Sequence, residues 1–125
     1  MILDTDVLIW YLRGNENAVN VVVDSMPFSI SVVTYMELLQ GMRNKQEMAK
    51  MRKAFKSMGV SIIPISEKIS LRAAKIVEEY ALSNSMEMAD ALIASTCVEM
   101  KEILFTANEK HYRPVEEIQL KIFRP

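Results

Sequence analysis

The sequence predicts an α/β fold, a three-layer α/β/α sandwich built around a central, mainly parallel sheet. Two observations carry that expectation. Short apolar runs alternate with stretches of ten or more residues at helical spacing, and parallel strands need crossover connections of at least that length. The chain has 125 residues, half of them hydrophobic, which is enough for one core covered on both faces and leaves no segment for a linker. Residues 1–125 therefore read as one domain.

Met1-Ile2-Leu3 is the first strand candidate. Asp4-Thr5-Asp6 separates it from the apolar run Val7 to Leu12, so a buried strand stops and a helix starts here, with Asp6 placed to cap the helix through its side-chain oxygen. Arg13-Gly14 ends that helix. Asn15 caps the next, Glu16 to Ser25, whose valines favour strand by propensity but whose length and capping favour helix; Pro27 breaks it. Phe28 to Ser31 is a short strand. Thr34 stands three residues before Glu37, the capping-box spacing, and starts a helix that pauses at Gly41. A helix from about Asn44 to Met58 puts Met48, Met51, Phe55 and Met58 on one face, and Gly59 ends it.

Val60 to Ile65, interrupted by Pro64, suits a strand at a sheet edge. Ser66 caps a helix carrying Ile69, Ala73, Ile76, Val77 and Tyr80, and Ser83-Asn84-Ser85 reads as a loop. An apolar helix runs from about Met88 to Lys101 with one acid, Asp90, near its start. Ile103 to Phe105 is a buried strand ending at Thr106-Ala107-Asn108. A polar turn passes through Arg113-Pro114, and Leu120 to Phe123 makes the last strand.

The net charge of −1 excludes a uniformly basic nucleic-acid glove and confines any polyanion site to one region. With one cysteine, Cys97, and one histidine, His111, neither an internal disulfide nor a Cys/His zinc site can be built, which fits a reducing compartment. No basic leader precedes an apolar core, and no stretch approaches the roughly 18 apolar residues of a membrane helix. A cytoplasmic protein without a membrane partner is expected.

Four acids stand out because each begins or ends an element beside apolar residues: Asp4, Asp6, Glu37 and Asp90. In a parallel sheet the strand ends and the following helix starts lie along one edge, so Asp4, Glu37 and Asp90 can converge there. Two carboxylates about 4 Å apart repel by roughly 4 kcal/mol at an effective dielectric near 20, so such a cluster takes up protons or holds a cation. Oxygen ligands favour Mg²⁺ or Mn²⁺, and the chemistry is metal-assisted phosphodiester hydrolysis. Each acid also has a structural reading. Asp6 can cap, Glu37 can complete the Thr34 box, and Asp90 can complement its helix dipole for about 0.3–1 kcal/mol. For Asp90 the neighbours Ile93, Ala94 and Cys97 argue against that, because they form an apolar stripe where an idle carboxylate is costly.

Ile2 to Ile9, Ser31 to Gly41 and Met88 to Ser95 resemble three blocks of PIN-domain ribonucleases. Leu104-Phe105-Thr106-Ala107-Asn108 through His111-Tyr112-Arg113-Pro114 is similar to that family's closing motif. The blocks fall in family order, the likeness covers essentially the whole chain, and size and layout most resemble the VapC-like toxins of toxin-antitoxin pairs. The resemblance implies an Mg²⁺-dependent RNA endonuclease, with Mn²⁺ able to substitute, that forms a homodimer and is inhibited by a small cognate antitoxin. By position, Asp4, Glu37 and Asp90 match the family's three core acids and metal site, with Asp4 and Asp90 as direct ligands. Asp6 and Asn108 support them. Asn108 stands where many relatives carry Asp, and His111 where many have another acid, so one-metal chemistry is the safer expectation. His111 reads either as a phosphate contact or as an exposed loop residue.

Arg43, Lys45, Lys50, Arg52, Lys53 and Lys56 crowd one short stretch, either a solvated face or the place where a phosphate backbone is attracted. Methionines 36, 42, 48, 51 and 58 share the region and suit a core first and an antitoxin groove second. Two competing functions remain. One is a phosphatase with an Asp-x-Asp nucleophile; the other is a catalytically weak PIN-fold module that binds nucleic acid or antitoxin.

Overall fold

The computed structural model describes residues 1–125. In chain order the elements are β1 (Ile2–Leu3), α1 (Thr5–Leu12), α2 (Glu16–Ser25), β2 (Ser29–Ser31), α3 (Val32–Gln40), α4 (Lys45–Met58), β3 (Ser61–Ile63), α5 (Glu67–Asn84), α6 (Met88–Met100), β4 (Leu104–Thr106), α7 (Glu109–Tyr112) and β5 (Leu120–Ile122). The five strands form one sheet in the order β3-β2-β1-β4-β5. Every pairing is parallel, so the expected architecture is the observed one. Val60 to Ile65 supplies edge strand β3, as Pro64 suggested.

Alternation along the strands sends successive residues to opposite faces. Ile2 and its register partner Leu104 join one buried cluster with Ala73, Ile76, Ile93 and Ala94 of α5 and α6. Leu3 and its partner Phe105 join the other, with Val7, Leu8, Val22, Met51 and Phe55 of α1, α2 and α4. Two-residue and three-residue strands suffice because the central β1 and β4 are buried on both faces, and burying an aliphatic or aromatic side chain is worth about 1.5–3 kcal/mol.

Several boundaries differ from expectation, each for a local reason. Asp4, not Asp6, caps α1, accepting the Thr5 N–H at 2.8 Å, so the helix starts two residues early. Ser31, not Thr34, caps α3, and its hydroxyl accepts the Val33 N–H at 3.1 Å. Thr34 lies inside that helix, fully buried. The capping-box reading of Glu37 is thereby removed. The Ser83-Asn84-Ser85 loop is the last turn of α5, which runs through Asn84 and stops where Ser85 enters the left-handed region at φ 54°. The polar turn before Arg113 contains the short helix α7.

Candidate active site

The site forms at the carboxyl edge of the sheet because three separate chain segments deliver acids there. Asp4 follows β1, Asp90 sits in the first turn of α6, and Glu37 lies on α3 behind β2. β4 contributes Thr106 as its last residue.

Asp4 is 5% exposed, and each of its oxygens is engaged. Oδ1 accepts the Thr5 N–H and faces the Tyr112 hydroxyl at 3.3 Å, while Oδ2 accepts from Thr106 Oγ1 at 2.7 Å. Thr106 is completely buried, and its hydroxyl accepts the Asn108 N–H at 2.9 Å. Asp6 leans on the same strand end: its Oδ2 accepts the Ala107 N–H at 3.0 Å and lies 3.4 Å from Thr106 Oγ1. Its Oδ1 is buried without a partner. Across the site, Asp90 Oδ1 lies 3.4 Å from the Tyr112 hydroxyl and Oδ2 lies 2.9 Å from His111 Nδ1.

Glu37 is exposed and reaches the group from the other side. Its Oε1 accepts from Thr5 Oγ1 at 2.7 Å, and Thr5 in turn stands 3.0 Å from Thr34 Oγ1. Since each hydroxyl carries one proton, Thr34 donates to Thr5 and Thr5 to Glu37. Thr5 is thus the joint between Glu37 and Asp4. Asn108 heads α7, half-buried, and its side chain makes no cap.

The structure therefore gathers Asp4, Asp6 and Asp90 around Thr106 and Tyr112 and leaves Glu37 one residue away, at Thr5. No three His, Cys, Asp or Glu side chains stand as a ready-made ligand cage. None of these four acids is paired with a lysine or arginine. Burial, and then the neighbouring Asp6 charge, push the Asp4 carboxyl from 3.8 to about 7, against the pull of the Thr106, Thr5 and Tyr112 hydrogen bonds. Burial also raises Asp6, with the Asp90 charge adding to it and the Ala107 and Val7 N–H groups opposing. Tyr112 is driven well above the ordinary phenol range by burial and by the Asp4 and Asp90 charges, so it remains a donor.

An oxygen-only donor set, an orphaned buried carboxylate oxygen and negative charge with no lysine or arginine partner fit a hard divalent cation. Such an ion needs only one or two carboxylates and keeps several of its own waters, which agrees with the lack of a closed cage.

Thr5, Thr34, Thr106 and Tyr112 are the partners that reading the sequence missed. A threonine or a tyrosine in a polar segment carries no signal of its own. His111, read as a phosphate contact or an exposed loop residue, is instead a half-buried partner of Asp90. Beside Glu37 opens a groove of about 920 Å³, lined by apolar residues including Leu12, Leu38 and Met42 and by Arg13, Arg43, Glu47 and Lys50. The basic stretch lies on α4 and the turn before it with its charged side chains exposed. Met51 is core, as its helical face predicted.

A family model described as PIN domain matches residues 1–117. Ribonuclease VapC10 of Mycobacterium tuberculosis is 32% identical over 125 residues, covering 95% of this chain and 90% of that protein. Ribonuclease VapC1 of Methanocaldococcus jannaschii is 29% identical over 125 residues, covering 98% and 86%. Among solved structures, VapBC2 from Rickettsia felis bound to a promoter DNA fragment superposes with a TM-score of 0.82 at 20% identity, covering 98% of each chain. A toxin-antitoxin complex from Klebsiella pneumoniae gives 0.79 at 24% identity, covering 94% of this chain and 93% of that one. At such identities the superpositions speak to the fold.

Proposed function

The chain belongs to the PIN-domain family, and from that premise we propose that it is a metal-dependent endoribonuclease, the toxin of a toxin-antitoxin pair, acting as one PIN unit across residues 1–125. The observation that carries the reading is the acidic cluster at the carboxyl edge of the parallel sheet, which has no lysine or arginine partner and leaves Asp6 Oδ1 buried and unsatisfied. The names of its ribonuclease relatives support the same substrate class.

Asp4 and Asp90 would hold the cation, Mg²⁺ with Mn²⁺ able to replace it, and Glu37 would orient the attacking water. A divalent ion at this place supplies charge neutralisation at the scissile phosphate and makes a nearby water more acidic. The chain does the rest. Thr5 fixes Glu37 Oε1, which leaves Oε2 for the attacking water and for the proton that water gives up. Asp6, tied to the Ala107 N–H, holds the end of β4 and with it Thr106 against Asp4. Asn108 completes that edge through its N–H to Thr106. A phosphatase with Asp4 as nucleophile fits less well, because no lysine is paired with Asp4 or Asp6.

A short antitoxin with an apolar segment suits the groove beside Glu37, where its occupancy would shut off the approach to the acids. We assign a homodimer as the assembled form and the cytoplasm as its compartment. No helix is long and apolar enough to cross a membrane.

The test is cleavage of a mixed RNA pool in Mg²⁺, with and without chelator, by the parent and by Asp90→Asn. The parent cuts, and chelator stops it. Losing a ligand forfeits several kcal/mol of charge stabilisation, so the variant cuts at least about a hundredfold more slowly. Equal, metal-dependent cutting by both proteins refutes the site assignment, and no cutting by either favours the binding module.

A further inference from the structure

We propose that α7 is the element that sets Asp90 against Asp4, with His111 and Tyr112 as positioning residues for the cation; this rests on the metal reading given above. The two side chains grip different oxygens of one carboxylate. His111 Nδ1 stands 2.9 Å from Asp90 Oδ2, and the Tyr112 hydroxyl stands 3.4 Å from Asp90 Oδ1. The same phenol faces Asp4 Oδ1 at 3.3 Å. One hydroxyl on a rigid ring therefore spans two acids that lie far apart in the chain.

That hydroxyl is itself held in place. Tyr112 is fully buried in the cluster that contains Ala91, Ile93 and Ala94 of α6, the helix that carries Asp90. Its ring cannot move without disturbing the packing beneath Asp90. The single phenol proton is shared between the two acids, and both distances are long for O–H···O pairs. These contacts restrain the carboxylates while leaving their lone pairs for a stronger ligand. Partners that orient ligating carboxylates in this way typically change metal affinity by about 10–100-fold. Glu37 has no such grip. It is exposed and bound through one threonine hydroxyl, so the Asp4–Asp90 pair is the fixed part of the site and Glu37 the adjustable part.

A purely structural role makes a different prediction, because Tyr112→Phe keeps the ring and its packing and removes only the oxygen. The experiment titrates the full-length protein with Mn²⁺ by calorimetry at one pH. The parent is compared with Tyr112→Phe, His111→Ala and His111→Gln, and with Phe28→Leu as a core control at the amino edge of the sheet, away from the acids. Tyr112→Phe and His111→Ala each raise the Kd about tenfold. His111→Gln, which keeps an N–H donor, recovers most of the loss, and Phe28→Leu binds as the parent does. Thermal midpoints in chelator show Tyr112→Phe folded. Unchanged affinity in both Tyr112→Phe and His111→Ala overturns the proposal while leaving the nuclease reading intact. A glutamine variant as weak as the alanine one removes His111 from it. Absence of Mn²⁺ binding by the parent defeats both readings together.

Discussion

Asp4 closes β1, caps α1 and faces two other acids, and these duties set its protonation. Its folded-state carboxyl is raised from 3.8 to about 7, so the folded protein binds the proton more tightly than the unfolded chain does. For a raised acid, the associated stability is fully present below pH 3.8 and is lost as pH rises through about 7. In chelator, therefore, the contribution of Asp4 to the thermal midpoint grows as pH is lowered from 8 towards 5. Asp4→Asn, which is neutral throughout, flattens that part of the profile, and Mg²⁺ at pH 8 raises the midpoint of the parent; a metal-free parent and Asp4→Asn with superimposable profiles would contradict the assignment. At this scale the sequence was informative only where a residue was out of place. An acid at the end of an apolar run is such a residue, and so is Asp90 beside Ile93, Ala94 and Cys97. Thr106 and Tyr112 are ordinary where they stand. Their importance comes from lying against Asp4 at chain separations of 102 and 108 residues, and no local pattern reports that.

Helices were readable where one polar residue alone was able to start them. Asn15 accepts the Ala18 N–H at 2.9 Å, Asn44 the Glu47 N–H at 2.8 Å and Ser66 the Ile69 N–H at 3.2 Å. Asn44→Ala and Ser66→Ala each cost about 1 kcal/mol in urea unfolding, with the slope of the transition unchanged. Where two capping residues compete, the pattern is ambiguous. Asp4 and Asp6 can both cap α1, and Ser31 and Thr34 can both cap α3; the choice falls to whichever leaves the backbone extended at the strand end, which packing of the sheet decides. Short α7 was hidden for another reason. Its four residues are too few to show a helical period, so it read as part of a turn.

For the whole molecule, alternation of short apolar runs with helical stretches was enough to give the parallel sheet, since few architectures accept that pattern. Its strand order was not legible, because two-residue and three-residue strands do not encode their partners. The near-neutral total charge conceals a basic side. Arg13 and Lys50 line the groove beside Glu37, so Arg13→Gln and Lys50→Gln raise KM for RNA with little change in kcat. Removing one phosphate-binding cation reduces the steepness of the salt dependence by about 0.7; unaltered slopes in both variants place the RNA path elsewhere. The sheet order also bears on how the protein is made. β1 pairs with β4, and the Thr106 that anchors Asp4 lies 102 residues downstream. At about 5–20 residues per second, a ribosome needs roughly 5–20 seconds to span that distance. A nascent chain therefore emerges without a working centre and acquires one only after β4 and its Thr106 have been added. Released fragments ending before residue 104 should neither bind Mn²⁺ nor cut RNA, and the cell that makes this enzyme is spared its activity until β4 has been synthesised.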